Sequence, residues 1–298
     1  MTGNDLFLQW QQQTLTRVET VLESVLPLFD NSQSTLHEAM RYAVLGGGKR
    51  LRPLLVLATA QLGEGNDEAA QMAAAAIECI HVYSLAHDDM PEMDNDSLRR
   101  GKPTCHVVYG SATALLVGDA LQSLAFELIS RPSDLDSRQQ LAMVQTLAMA
   151  SGSLGMAGGQ AIDLTHVGQD MTQTELECMH SLKTGALIRA AVRLGALCCA
   201  GFGSEQFNAL DIYAAKIGLA FQVMDDVLDC VQDSQTLGKT AGKDISQDKP
   251  TYVKLMGLES ARQYAYELTD AAVAALGQFG SQADKLHALA QFVIQRKN

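Results

Sequence analysis

Strand signals are almost absent from this chain. Val, Ile and aromatic residues seldom alternate with polar ones, while Ala, Leu, Met and Gln are abundant. That pattern argues against a sheet-based fold and for helix. Proline is scarce, and the six present (Pro27, Pro53, Pro91, Pro103, Pro132, Pro250) fall at helix edges or turns. None of the six cysteines forms a CxxC pair, and all lie in or beside apolar segments. A reduced, cytosolic protein is the simple expectation. No Ser/Gly-rich linker divides the 298 residues, so residues 1–298 are expected to form one domain. The start, MTGNDLFLQWQQQ, has no basic segment followed by an apolar core, so no secretory signal is expected. The most membrane-like run, Thr184 to Gly203, is interrupted by Arg189 and Arg193 on one helical face. A spanning helix rarely carries such a pair, and a soluble chain is expected. The net charge of -12 argues against nucleic acid as a partner.

What is present is helix. The periodicity predicts helices over about 5–25, 33–45, 50–62, 67–90, 111–130, 134–151, 153–164, 172–200, 204–232, 250–278 and 282–296. Three stretches, 73–86, 185–200 and 214–228, are apolar nearly all round and should be central. Pro53 falls in the first turn of its helix, where a missing N–H is harmless.

Two of the apolar helices end alike. IECIHVYSLAHDDMPEMD carries Asp88, Asp89 and Asp94, and YAAKIGLAFQVMDDVLD carries Asp225, Asp226 and Asp229. Asp225 and Asp229 are four residues apart and share a helix face. Pro91 marks an irregular turn that could return Asp94 towards Asp88. Carboxylates crowded at a helix C-terminus oppose the dipole, by about 0.3–1 kcal/mol per charge, and repel one another. Mg²⁺ offsets both effects, because it takes carboxylate and phosphate oxygens. The plain alternative is a solvated acidic helix end. A calcium loop lacks its D-x-[DN]-x-[DN]-G pattern, and His81, His87 and His106 lack a zinc spacing.

Clustered bases supply a second theme. GGGKRLRP holds Lys49, Arg50 and Arg52, and RRGKP holds Arg99, Arg100 and Lys102. Lys183, Lys239 and Lys249 come later in the chain. Glycine loops and helix N-termini favour phosphate, and Arg and Lys add charge. Neither GK sequence is a P-loop, since Ala43 and Asp233 stand where one needs Gly. Taken singly, Arg50 or Lys102 reads as a surface charge; taken together, the set reads as diphosphate binding. Metal-holding carboxylates, phosphate-holding cations and an apolar interior together suit an apolar chain carrying a diphosphate.

DDMPEMD, DDVLD, GGGKRLRP, LRRGKPTCH, GGQAIDL and KTGALI occur in the order and spacing of the trans-isoprenyl diphosphate synthases, from about residue 35 to the C-terminus. The DDxxxxD form of the first motif resembles that of the bacterial farnesyl diphosphate synthases. The resemblance implies an all-α bundle around a deep central cavity, usually a homodimer. It implies three Mg²⁺ per site, with Mn²⁺ as an alternative, held by Asp88, Asp89, Asp94, Asp225, Asp226 and Asp229. It assigns Arg99, Lys183, Lys239 and Lys249 to the allylic diphosphate, and Lys49, Arg52, His81 and Arg100 to isopentenyl diphosphate. Thr184 and Gln222 would stabilise positive charge at the reacting carbon. Gln160 and Asp163 match the family's GQxxDL segment, in a substrate role or a packing role.

Product length turns on Tyr83, five residues before Asp88 and so ~7.5 Å deeper along the helix. As a cavity floor, with small Ser84 beside it, Tyr83 is the aromatic that the resemblance pairs with a C15 product. Ordinary core packing is the alternative for Tyr83, and a satisfied helix histidine is the alternative for His81. The rival activities are geranylgeranyl diphosphate synthesis, Mg²⁺-dependent diphosphate hydrolysis and a silent synthase-like subunit. The Gly-, Lys- and Asp-rich segment from Gln232 to Pro250 is expected to act as a lid.

Overall fold

The structure is a computed structural model. It describes residues 3–28, 34–131, 133–231 and 250–296. Lys239, Lys249 and nearly all of the expected lid lie outside the described residues.

The helices are α1 (Gly3–Val25), α2 (Ser34–Val44), α3 (Leu51–Ala60), α4 (Asp67–Asp88), α5 (Cys105–Tyr109), α6 (Ser111–Ile129), α7 (Ser137–Ser151), α8 (Met156–Thr165) and α9 (Gln173–His180). They continue with α10 (Ala186–Leu197), α11 (Ser204–Val231), α12 (Tyr252–Met256), α13 (Leu258–Ala275) and α14 (Asp284–Gln295). Among the described residues the only sheet is a two-residue ladder, β1 (Leu98–Arg99) against β2 (Lys102–Pro103). The all-α expectation holds.

Helix α4 shows why the sequence folds this way. The Asn66 side chain accepts the Ala69 N–H at 2.9 Å, and Asp67 and Glu68 fill the first turn. Both features stabilise a helix start. Ala73 to Ala76 come next, all buried. They are strong helix formers with little bulk, so neighbours close in. Helix α4 packs on α3, α6 and α10, and α11 packs on α10 and α13. The two aspartate-bearing helices thus flank α10 at the centre, as the all-round apolar stretches predicted.

The structure departs from the sequence reading in three places. The helix expected over 172–200 is broken by a π-turn at Ser181–Gly185. The one expected over 250–278 is cut at Gly257, which has φ 82°. The RRGKP bases sit on a hairpin whose two-residue loop, Arg100 (φ 54°) and Gly101 (φ 74°), has both residues at positive φ. That is the geometry of a tight type I′ hairpin turn. An unalternating four-residue ladder leaves no period-2 signal to read.

Helices α4 and α6 are long and apolar enough to cross a membrane. Most of α4 is covered by its neighbours; α6 leaves Leu115 and Leu116 about half exposed.

Candidate active site

The two aspartate clusters meet across the π-turn. Lys183 Nζ lies 2.6 Å from Asp163 Oδ2 and 3.9 Å from Asp88 Oδ2. The next residue, Thr184, donates its hydroxyl to Gln222 Oε1 at 3.0 Å, and Gln222 Nε2 reaches Asp226 Oδ1 at 3.4 Å. One turn therefore links the end of α4 to the end of α11. A π-turn inserts one residue into the helix and re-aims the turns beyond it, a device frequent at functional sites. The turn is pressed closely on α8, where a Cβ on Gly159 would run into the Lys183 backbone.

At the end of α4 the chain turns as Pro91 suggested. The Asp94 N–H donates to the Asp88 carbonyl at 2.9 Å, and the Asp96 N–H to the Asp89 carbonyl at 3.1 Å. Asp89 is 4% exposed and is gripped by Arg99, with Nε at 2.8 Å and Nη2 at 2.5 Å from Oδ1. Burial raises the Asp89 pKa, and the Arg99 charge only partly offsets this. Gln160 donates to Asp88. Gln160 and Asp163 are thus polar members of the site, each bonded to a group the sequence singled out.

At the end of α11 the holders come from far along the chain. Asp225 pairs with Arg296 at 2.8 Å, and Arg296 also donates to the Phe221 carbonyl at 2.6 Å and lies 3.8 Å over the Phe221 ring. Asp226 accepts the Tyr252 N–H at 2.8 Å. The Tyr252 ring stacks on His180 at 5.7 Å, and burial holds His180 down to a pKa of about 3. Asp229 is buried in the same turn of helix. Sequence reasoning missed Arg296, Tyr252 and His180. No motif surrounds Arg296, and Asp225 lies 71 positions before it.

The six aspartates offer hard oxygen donors only, the chemistry that suits Mg²⁺. Among the described residues no three His, Cys, Asp or Glu side chains form a ready-made cage. An open site of this kind fits an ion that binds through one or two carboxylates and completes its shell with substrate phosphate and water.

Beside the carboxylates lies a cavity of about 360 Å³ whose wall includes Arg52, His81, Tyr83, Ser84, Asp88 and Lys183. Arg52 and His81 thus share a wall with Lys183 and Thr184. His81 is half-buried and is held well below its ordinary pKa by desolvation and by the guanidiniums of Arg52, Arg100, Arg99 and Arg50. Desolvation also lowers Arg52 to about 10, with Glu78 and Asp225 working against it. Arg100 donates to the Gly47 carbonyl and lies against Gly48, where a Cβ would strike its guanidinium. This explains Gly48 of GGGK, which admits an arginine from the hairpin. Tyr83 is 8% exposed, and its ring meets His87 edge-on at 5.7 Å. Arg50 is not the surface charge expected of it. Its side chain is fully buried between Glu19 and Glu78, because its backbone turns it inward.

Comparison with known proteins agrees with this geometry. The polyprenyl synthetase family profile matches residues 33–291. The chain is 51% identical over 264 residues to farnesyl diphosphate synthase of Escherichia coli strain K12, covering 87% of this chain and 88% of that one. It is 45% identical over 293 residues to farnesyl diphosphate synthase of Haemophilus influenzae, covering 98% and 99%. Its fold matches a crystal structure of a Helicobacter pylori geranyltransferase complexed with magnesium and isoprenyl diphosphate. That match has a TM-score of 0.88 and 33% identity, over 97% of this chain and 98% of that one. The chain belongs to the polyprenyl synthetase family.

Proposed function

We propose a division of labour within this site for the farnesyl diphosphate synthase reaction. The enzyme is a trans-prenyltransferase that joins isopentenyl diphosphate to an allylic diphosphate, dimethylallyl or geranyl, to build the C15 product. One observation carries the division of labour. Two aspartate-bearing helix ends meet through Lys183, Thr184 and Gln222, beside an apolar cavity that Arg52 and His81 also line.

Asp88, Asp89, Asp94, Asp225, Asp226 and Asp229 are the residues to hold magnesium, three ions in this reading, and the oxygen-only donor set supports it. When bound, magnesium supplies positive charge against the departing diphosphate. Lys183, fixed by Asp163, and Arg99, fixed by Asp89, face the allylic diphosphate and stabilise charge that grows as the C–O bond breaks. Lys239 and Lys249 join them in this proposal. The Thr184 hydroxyl and the Gln222 amide carbonyl aim dipoles at the allylic cation. The apolar wall excludes water that would trap it. Lys49, Arg52, His81 and Arg100 hold isopentenyl diphosphate with its double bond towards that cation. After the new C–C bond forms, the proton lost is taken by the released diphosphate. Tyr83, backed by His87 and with Ser84 beside it, floors the cavity and ends growth at C15.

Two cation sets flank one carboxylate cluster, which favours condensation over hydrolysis of a single diphosphate. The exposed apolar side chains Val107, Val108, Leu115 and Leu116 on α5 and α6 support a homodimer, and the cysteines support a cytoplasmic enzyme.

The test is product analysis. Purified protein receives Mg²⁺, isopentenyl diphosphate and either dimethylallyl or geranyl diphosphate, with EDTA as control. Metal-dependent C15 diphosphate from both primers is expected. C20 would remove Tyr83 as the floor, and no condensation by folded protein would remove the reading.

A further inference from the structure

GGGKRLRP carries three bases, and the roles proposed above use only Lys49 and Arg52. Arg50, between them, does something different. Its backbone has φ 48° and ψ 34°, the left-handed region, at the start of α3. A non-glycine residue held there is strained, and such strain persists only where its surroundings over-determine it. The surroundings here come from three helices. Arg50 Nε donates to Glu19 Oε1 of α1 at 2.7 Å and Nη1 to Glu78 Oε1 of α4 at 2.7 Å. Nη2 donates to the Val44 carbonyl of α2 at 2.6 Å and to Glu19 Oε2 at 3.2 Å. The side chain is fully buried, as is that of Glu78.

The clamp sits under the cation-lined wall. Glu78 lies three residues before His81 on α4, on the same face of the helix. Two residues after Arg50, Arg52 lines the cavity. Two and three residues before it, Gly48 (φ 136°) and Gly47 (φ 83°) seat Arg100. Arg50, Arg52, Arg99 and Arg100 all act on His81, and Glu78 acts on Arg50, Arg52 and Arg100. Like charges crowded near a protein interior need a counter-charge to stay assembled.

We propose that Arg50, clamped by Glu78 and Glu19, is the positioning residue of the isopentenyl diphosphate site, and that Glu78 is its buried counter-charge. The clamp fixes the glycine loop against α3, so that Lys49, Arg52 and Arg100 converge on one diphosphate. Neither Arg50 nor Glu78 touches substrate. The inference rests on the assignment of Lys49, Arg52, His81 and Arg100 to isopentenyl diphosphate.

The experiment compares wild type with Arg50→Lys, Glu78→Gln and Glu19→Gln. Glu19 is 42% exposed in its side chain, so its variant keeps the fold if the buried ones do not. Initial rates are measured with each substrate varied in turn, and isopentenyl diphosphate binding by calorimetry in EDTA. Arg50→Lys and Glu78→Gln are expected to raise KM for isopentenyl diphosphate about tenfold. KM for geranyl diphosphate should stay within about twofold and kcat within a few-fold; Glu19→Gln moves the same KM by about threefold. Calorimetric affinity falls in step. Equal changes in both KM values overturn the proposal, and so does a lowered Tm with both KM values unmoved. If wild type binds but does not condense, the reaction assignment fails while calorimetry still judges the clamp: weaker binding in Arg50→Lys supports it, and unchanged binding overturns it.

Discussion

The two aspartate clusters cap similar apolar helices, yet the protein secures them differently. At the end of α4 the grip on Asp89 and Asp94 is local, with Arg99 ten residues from Asp89 and Asp94 folded back onto the Asp88 carbonyl, while Asp88 takes a distant partner, Gln160 of α8. At the end of α11 the helix runs straight through its motif, and the grip comes from Tyr252 and Arg296, 26 and 71 positions on. The first cluster is deeply set at Asp89; the second exposes about a third of the Asp225 side chain. Crowded carboxylates repel one another and need partners, and either neighbours in sequence or neighbours in space can supply them.

The comparison can be broken most severely at the carboxylates. Asp89→Asn and Asp229→Asn should each lower kcat by about 10²–10³-fold, on the scale of losing one transition-state donor. Initial rates at saturating Mg²⁺ and substrates read this directly. If either cluster proves dispensable, the two are not one site. Gly159→Ala strikes the element that joins them. Its Cβ would meet the Lys183 backbone, so Lys183 and Thr184 shift together. Overpacking of this kind costs about 1–3 kcal/mol, and a misplaced group can cost about 10²-fold in rate. Melting curves and kcat together separate the two effects.

Removing the holders should sharpen the contrast. Arg99→Met leaves Asp89 charged and buried, at a cost of about 3–5 kcal/mol, whereas Arg296→Met leaves a more exposed Asp225, at about 1–2 kcal/mol. Urea unfolding of the metal-free protein should rank them in that order. Acid supplies a gentler probe of the α11 side. Unfolded, His180 takes a proton near 6.5; folded and stacked on Tyr252, it does so only near 3. Protonation therefore favours unfolding. The contribution of His180 is complete above pH 6.5 and is lost as pH falls towards 3, by up to about 1.4 kcal/mol per pH unit. His180→Phe should flatten that slope in denaturant titrations between pH 6 and 4. The smallest effect on rate, though not on outcome, belongs to the floor: Tyr83→Ala should lengthen the product and Ser84→Phe shorten it, as chromatography of the dephosphorylated alcohols will show.

Much of this was legible in the order of residues. Because burial of one face is what helical spacing achieves, apolar positions at that spacing gave most of the helices to within a few residues, though not the breaks at Ser181–Gly185 and Gly257 or the short helix Cys105–Tyr109. The DD pairs, the glycine loop and the paired arginines read in the sequence as a diphosphate and metal site, because carboxylates favour Mg²⁺ and Arg, Lys and glycine loops favour phosphate. Three things were not legible. The π-turn leaves no trace in a run as regular as HSLKTGALI; it sits where α8 packs through Gly159 onto the Lys183 backbone, a contact between segments far apart in the chain. Arg50 read as a surface charge because a left-handed φ at one residue cannot be seen in composition. Arg296 could not be matched to Asp225 without the fold that brings them together.

The sequence by itself determined an all-helical chain, two carboxylate clusters at like helix ends and the cations to face them, because periodicity and residue type are local properties. Tertiary structure alone decided which cation holds which carboxylate, where the helix of Lys183 is re-aimed, and which arginine of GGGKRLRP turns inward. Those choices depend on burial and on distances between residues far apart in the chain, where a charge is stabilised only by the partner that packing delivers.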